Sequence, residues 1–222
     1  MRAPMSGDRE TIRLFQFLPI RGAFDTILRD VMIPDLWGLP GVLEVYVGRH
    51  GPDEIGPRLV ASIWETNQAM AEGLGTSFED PKFHPEYLDE TTDRVLDVLP
   101  LTFSYRSDAA AQPTIMRLVS GRVRPDELES YVAEAWAGTE DDAAAGRGPD
   151  ALYLAAQPPD LFRTLSVWPD WQTLQDATGG DIDRPIATRH ARRLVAWSAR
   201  HYEVVPDLIR SDAAASAGAV AR

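Results

Sequence analysis

Ser62-Ile63-Trp64 and Ser166-Val167-Trp168 stand 104 residues apart in a chain of 222. Around each, the apolar pattern repeats at the same offset. Upstream, Phe24, Ile27, Leu28, Val31 and Met32 fall at the i, i+3, i+4, i+7, i+8 positions of an amphipathic helix. Leu128, Tyr131, Val132, Ala135 and Trp136 form the same stripe. Farther upstream, Ile12-Arg13-Leu14-Phe15 matches Met116-Arg117-Leu118-Val119; downstream, Gln68 and Gly75 match Gln172 and Gly179. Near the ends the offset slips to 100, pairing Pro85 with Pro185 and Val95 with Val195. A repeated period has to be read first, because it decides the architecture.

Each copy reads strand, helix, strand, strand, helix, strand. Copy one runs through strand Thr11–Leu18, helix Ala23–Leu36, and strands Val42–Gly48 and Arg58–Trp64. An interrupted helical stretch from Asn67 to Leu99 and a strand Leu101–Arg106 follow. Copy two places strands at Ile115–Val119, Ala151–Ala156, Phe162–Trp168 and Ala199–Val205, with helices at Asp126–Ala137 and near Ala187–Trp197. Arg124-Pro125-Asp126-Glu127 opens the first of those helices with a proline and with acids at the positive dipole end. A βαββαβ unit is the ferredoxin-like arrangement. The fold expected is therefore α+β: two fused ferredoxin-like repeats, each burying what the other leaves open, as a pseudo-dimeric α/β barrel. The organisation follows as an N-terminal arm 1–10, repeat one 11–107, a small-residue linker 108–113, repeat two 114–207 and a tail 208–222 predicted to be disordered.

Composition narrows the partners. Lys+Arg number 22 against 34 Asp+Glu, a net charge of −12. That balance excludes a phosphate-binding surface of the nucleic-acid kind and adhesion to anionic membrane. No cysteine is present, which removes disulfides, thiolate metal sites and cysteine nucleophiles. Met1 to Glu10 lacks an apolar secretory core, and no apolar run nears the roughly 20 residues of a membrane span. The expected location is cytoplasmic. Neither Gly146-Arg147-Gly148-Pro149 nor Glu140-Asp141-Asp142 has the setting of a phosphate loop or metal site, and His190 and His201 do not make a metal pair.

The segment Ala61-Ser62-Ile63-Trp64-Glu65-Thr66-Asn67-Gln68-Ala69-Met70 resembles the third strand and following helix of the antibiotic biosynthesis monooxygenase family. Leu165-Ser166-Val167-Trp168-Pro169-Asp170-Trp171 looks like a diverged second version. The resemblance implies a dimeric α/β-barrel fold and a monooxygenase-like activity without metal, flavin or other cofactor, on an aromatic or polyketide-like small molecule. Phe83-His84-Pro85-Glu86-Tyr87-Leu88 is similar instead to small polyketide cyclases on the same fold. A third reading is a non-catalytic barrel that binds a small ligand or a partner. The assembly expected is a monomeric pseudo-dimer or a homodimer.

Candidate site residues follow. His84 is the candidate acid/base, since imidazole titrates near neutrality, and the alternative is a solvated loop histidine. Arg94, on the helix expected after it, is the second catalytic candidate. Tyr87 lies one helical turn from His84. Trp64 and Trp168 either stack on an aromatic substrate or close the core at a strand end. Arg13 and Arg117, at matching points of the two first strands, are either solvated or pocket cations for a carboxylate or enolate.

Overall fold

The computed structural model describes residues 9–21, 24–53, 55–75, 89–107, 113–184 and 192–211. It divides into two compact units: unit 1 is Met1–Pro100 with Val204–Arg222, and unit 2 is Leu101–Glu203.

In unit 1, β1 (Thr11–Pro19), β2 (Val42–Arg49), β3 (Arg58–Trp64) and β4 (Thr91–Pro100) form an antiparallel sheet in the order β4-β1-β3-β2. That is the ferredoxin-like strand order. Residues alternate between the faces. Arg13, Phe15, Val45, Val47, Val60, Ser62 and Trp64 share one face through the register Arg13↔Ser62, Phe15↔Val60 and Val45↔Ser62. The first helical segment packs on this face. It consists of α1 (Phe24–Ile27), a π-helical turn (Leu28–Met32) and α2 (Ile33–Trp37). Phe24, Leu28, Ile33 and Leu36 are its buried positions. The five-residue step from Leu28 to Ile33 is the π turn's extra residue, just before Pro34, which lacks an N–H for a regular turn. Val31, expected on the buried stripe, is consequently 40% exposed, and Ile33 takes its place.

The stretch expected to continue as helix to Leu99 divides differently. The helix α3 (Asn67–Leu74) ends at Gly75, whose positive φ of 61° closes it. Thr91–Pro100 is strand β4, paired with β1 along its length. The chain returns to this unit at its C-terminal end: Leu208, in the 3-10 turn Pro206–Leu208, is buried in the core, and Arg210–Ser211 pairs with β2. The expected tail thus begins inside the fold; residues 212–222 lie outside the described residues.

Unit 2 carries β5 (Phe103–Arg106), β6 (Ile115–Val123), α4 (Leu128–Ala144), β7 (Ala151–Gln157), β8 (Leu161–Trp168), α5 (Trp171–Thr178) and β9 (Leu194–Val204). Its antiparallel sheet runs β9-β6-β8-β7-β5. The strand 103–106, read from sequence as the end of repeat one, pairs with β7 here. Leu194–Trp197, expected at the end of a helix, begins β9. Ala187–Ala191 lie outside the described residues.

The two sheets use the same register: Thr11↔Trp64 with Ile115↔Trp168, and Arg13↔Ser62 with Arg117↔Ser166. In both units the tryptophan indole donates to the serine two residues before it, at 2.9 Å for Trp64–Ser62 and 2.8 Å for Trp168–Ser166. The last strands keep step too. Arg13 faces Val98 and Arg117 faces His201, 103 residues on. The offset at that point is therefore 103 and not 100, and Val95 matches Ser198 in position, not Val195.

Candidate functional site

Unit 2 contains a mostly apolar cavity of about 80 Å³ between its sheet and α4. Val119, Leu152, Leu154, Phe162, Ala135 and Leu194 supply its apolar wall. Arg117, Tyr131, Thr139, Asp142, Thr164 and Trp168 also line it. These side chains converge because Arg117, Val119, Thr164 and Trp168 share one face of β6 and β8, while Tyr131 points in from α4, where its ring lies 4.7 Å from that of Phe162.

Arg117 is only 1% exposed. Its Nε and Nη2 donate to the Ile182 carbonyl at 3.2 and 2.9 Å, and Nη2 also donates to the Arg184 carbonyl. None of these bonds uses Nη1. Among the described residues no carboxylate forms an ion pair with this guanidinium; Asp183 and Asp181 act on it from farther off. Burial lowers its pKa to about 10, so it stays cationic at neutral pH. His201, its neighbour across β6 and β9, places Nε2 3.1 Å from the same Ile182 carbonyl. The 182–184 segment therefore fixes the cation from behind with backbone oxygens.

Tyr131 is buried, and desolvation pushes its phenol well above the usual value, opposed by the Thr164 hydroxyl and the Arg117 charge. It is a protonated donor at neutral pH. A buried cation and a buried phenol thus line one mostly apolar cavity together with the Asp142 carboxylate, and oriented donors of this kind can stabilise negative charge.

Unit 1 is built differently on the same face. Phe15 stands where unit 2 has Val119, and Val60 where it has Thr164. The 104-residue offset sets Ile27 against Tyr131. Phe15 stacks on Phe17 at 4.6 Å, and Phe17 meets Phe24 edge-on at 5.1 Å. With Leu28, Val47, Trp64 and Met70 these rings fill the space. Arg13 is 8% exposed beside Phe15, its pKa lowered to about 10 by burial. A separate open groove of about 480 Å³ runs past Arg29, Ile33, Trp37, Asp207 and Leu208.

The structure therefore brings Arg117 and Trp168 of the expected site residues to one cavity, and buries Arg13 and Trp64 in the filled unit. Neither arginine is solvated. Arg94 lies on β4 and is exposed; its expected helix is a strand, so it does not project from a helix beside His84. His84 and Tyr87 lie outside the described residues. Tyr131 and Thr164 were not among the expected site residues. The signal that marks them is a departure from the internal pattern: a phenol and a hydroxyl where the other copy has isoleucine and valine.

No protein-family model matches the chain, and no curated protein matches it in sequence. Solved structures do match in fold. A monooxygenase candidate from Lactobacillus acidophilus superposes with a TM-score of 0.68 at 12% identity, over 91% of this chain and 96% of that one. An anthrone oxidase-like protein gives 0.61 at 14% identity, over 94% and 95%. A monooxygenase-like protein from Listeria innocua gives 0.52 at 10%, over 91% and 98%. The fold is thus an antiparallel α+β fold shared with monooxygenase-like proteins. No helix among the described residues is long and apolar enough to cross a membrane.

Proposed function

We propose that the chain is a tandem duplication and a cofactor-independent, monooxygenase-like enzyme of secondary metabolism, with its site in unit 2. The observation that supports this reading is the mostly apolar cavity lined by the buried Arg117, Tyr131 and Trp168. An enolisable aromatic or polyketide-type substrate loses a proton to a base, the carbanion is oxidised by O2 to a hydroperoxide on the same carbon, and loss of water leaves one oxygen as a carbonyl and carries off the other. The cation and the phenol hold the enolate oxygen, and Trp168 walls the ring. His84, the base candidate read from the sequence, belongs to unit 1 and lies outside the described residues, so it is tested apart from the unit 2 cavity. At about 80 Å³ the cavity is well below the ~300 Å³ of a typical ligand pocket and the ~150 Å³ that accommodates a benzene ring, so it admits only part of such a substrate.

The volume also favours a second reading, a protein that binds a compact ligand without turning it over. Oxygen uptake with a panel of enolisable phenols and anthrones separates the two. Uptake that falls on Arg117→Met and on His84→Ala supports the enzyme. Binding without uptake by the parent chain supports the second reading. Full turnover by His84→Ala would remove that histidine from the mechanism.

A further inference from the structure

The matching arginines of the two units are satisfied differently. Arg117 gives Nε and Nη2 to the carbonyls of Ile182 and Arg184. Arg13 holds the same register point in unit 1, opposite Ser62 as Arg117 is opposite Ser166. It is 8% exposed, and its Nε is buried without a hydrogen-bond partner. Among the described residues the Arg13 guanidinium makes no hydrogen bond and no ion pair. It lies over the Phe15 ring, 5.8 Å from the centroid, a contact that leaves its N–H edge unused. Burial alone lowers its pKa, whereas at Arg117 Asp183 and Asp181 oppose that shift. In register, Val98 flanks Arg13 on one side and Ser62 on the other, and the Ser62 Oγ accepts from the Trp64 indole. Thr11 stands two residues back on the same face of β1. It is fully buried, and its Oγ1 also has no hydrogen-bond partner. Unit 2 has Ile115 at that position, packed with Trp168. Unit 1 thus sets a buried hydroxyl beside a buried cation and gives neither an acceptor, and buried polar groups are rarely left so without a reason.

We infer that Arg13 and Thr11 form a binding site for a small monocarboxylate, whose oxygens take the N–H edge that backbone carbonyls occupy on Arg117. A carboxylate offers two acceptors in the plane of the guanidinium fork, and the Thr11 hydroxyl has a proton to add. Burying a cation is unfavourable unless an anion completes it. One cation calls for one negative charge: a dianion such as sulfate would bring a second charge with no partner. The site belongs to unit 1 and needs nothing from the functional reading of unit 2.

The test is a titration of the full chain, isotope-labelled at the arginine nitrogens, at neutral pH and fixed ionic strength. The arginine Nε–H resonances are followed by NMR, and the Arg13 resonance is assigned by its loss in Arg13→Lys. The probes are acetate, its neutral isostere acetamide, and sulfate. Acetate is expected to move the Arg13 resonance saturably and to bind at least about tenfold tighter than acetamide, the difference a charge-assisted hydrogen bond makes. Thr11→Val, which keeps the shape and removes the hydroxyl, should weaken acetate several-fold. If Arg13→Lys does not fold, Thr11→Val also supplies the assignment, since it shifts the neighbouring Nε–H. An Arg13 resonance that ignores acetate, or answers acetamide equally, would overturn the inference, because the guanidinium would then be satisfied from within the chain. An acetate affinity unchanged in Thr11→Val would overturn it too. So would sulfate binding as tightly as acetate.

Discussion

Unit 1 and unit 2 share strand order, register, the tryptophan–serine bond and the capped helix after it, yet unit 2 holds a cavity on the sheet face where, among the described residues, unit 1 packs phenylalanine rings. Few residues make the difference. Phe15 against Val119 supplies or withholds a ring at the centre of the sheet, and Val60 against Thr164 decides whether that wall is apolar. Phe17 and Phe24 complete the filling in unit 1. Two units of like register can thus differ in whether the face beside the tryptophan is packed with rings or left partly open. Arg13 on β1 and Arg117 on β6 are both buried, and Arg117 lines the unit 2 cavity.

The largest test of the contrast is to remove each tryptophan. Both are fully buried. Trp64→Ala should destabilise by about 4 kcal/mol, in the range for large-to-small core changes. Trp168 already borders empty space, so it has fewer contacts to lose, and Trp168→Ala should cost about 1 kcal/mol less. Urea unfolding of both variants measures the gap. Equal losses would mean that unit 2 is as tightly packed as unit 1.

Exchanging the central residues comes next. Phe15→Val should open unit 1 at a cost of about 2 kcal/mol. Val119→Phe should fill unit 2, change stability by less than about 1 kcal/mol, and abolish the oxygen uptake proposed for its cavity. If Val119→Phe left uptake intact, the site would lie elsewhere.

The shared register of the two units was legible because the pleat enforces it: Ser62-Ile63-Trp64 and Ser166-Val167-Trp168 must alternate between faces, and two stretches alternating identically stand out. The final strands were not. In β4, Thr92, Asp93 and Arg94 are exposed while Leu96 and Val98 pack on the core, and the spacing of Val95, Leu96, Val98 and Leu99 suits a helix equally well. Leu194-Val195-Ala196-Trp197 is an apolar run with no alternation at all, because this end of β9 is exposed at Val195, Ala196 and Trp197 alike. The π turn escaped notice since its one-residue slip leaves Val31 looking like a stripe position. Arg13 and Arg117 were recognisable as candidates. The cavity was not, because Tyr131 fits the apolar stripe of a helix and only its meeting with Thr164, two strands later in the chain, gives it another use.

The smallest contrast lies in the caps of the two short helices that follow the tryptophans. Thr66 Oγ1 accepts from the Ala69 N–H at 3.0 Å, and Asp170 Oδ1 accepts from the Thr173 N–H at 2.7 Å. The two serve the same position, but only one titrates. Thr66→Ala should cost about 1 kcal/mol at every pH, since a hydroxyl holds no charge to lose. Asp170 is held below its ordinary value chiefly by the bond from the Thr173 backbone, with the threonine hydroxyl assisting. Its folded-state pKa is lowered, so its contribution is complete above the unfolded carboxyl value of 3.8 and fades as pH falls through the folded one. Asp170→Ala should therefore lower the melting temperature at neutral pH and have progressively less effect toward about pH 3. Asp170 also helps to raise the half-buried Asp150 carboxyl, after desolvation, so Asp170→Asn is the control: it keeps the cap and removes that repulsion. Thermal unfolding of the three variants across this range checks the pair. A Thr66→Ala loss that followed pH as Asp170→Ala does would show that the two caps do not act locally.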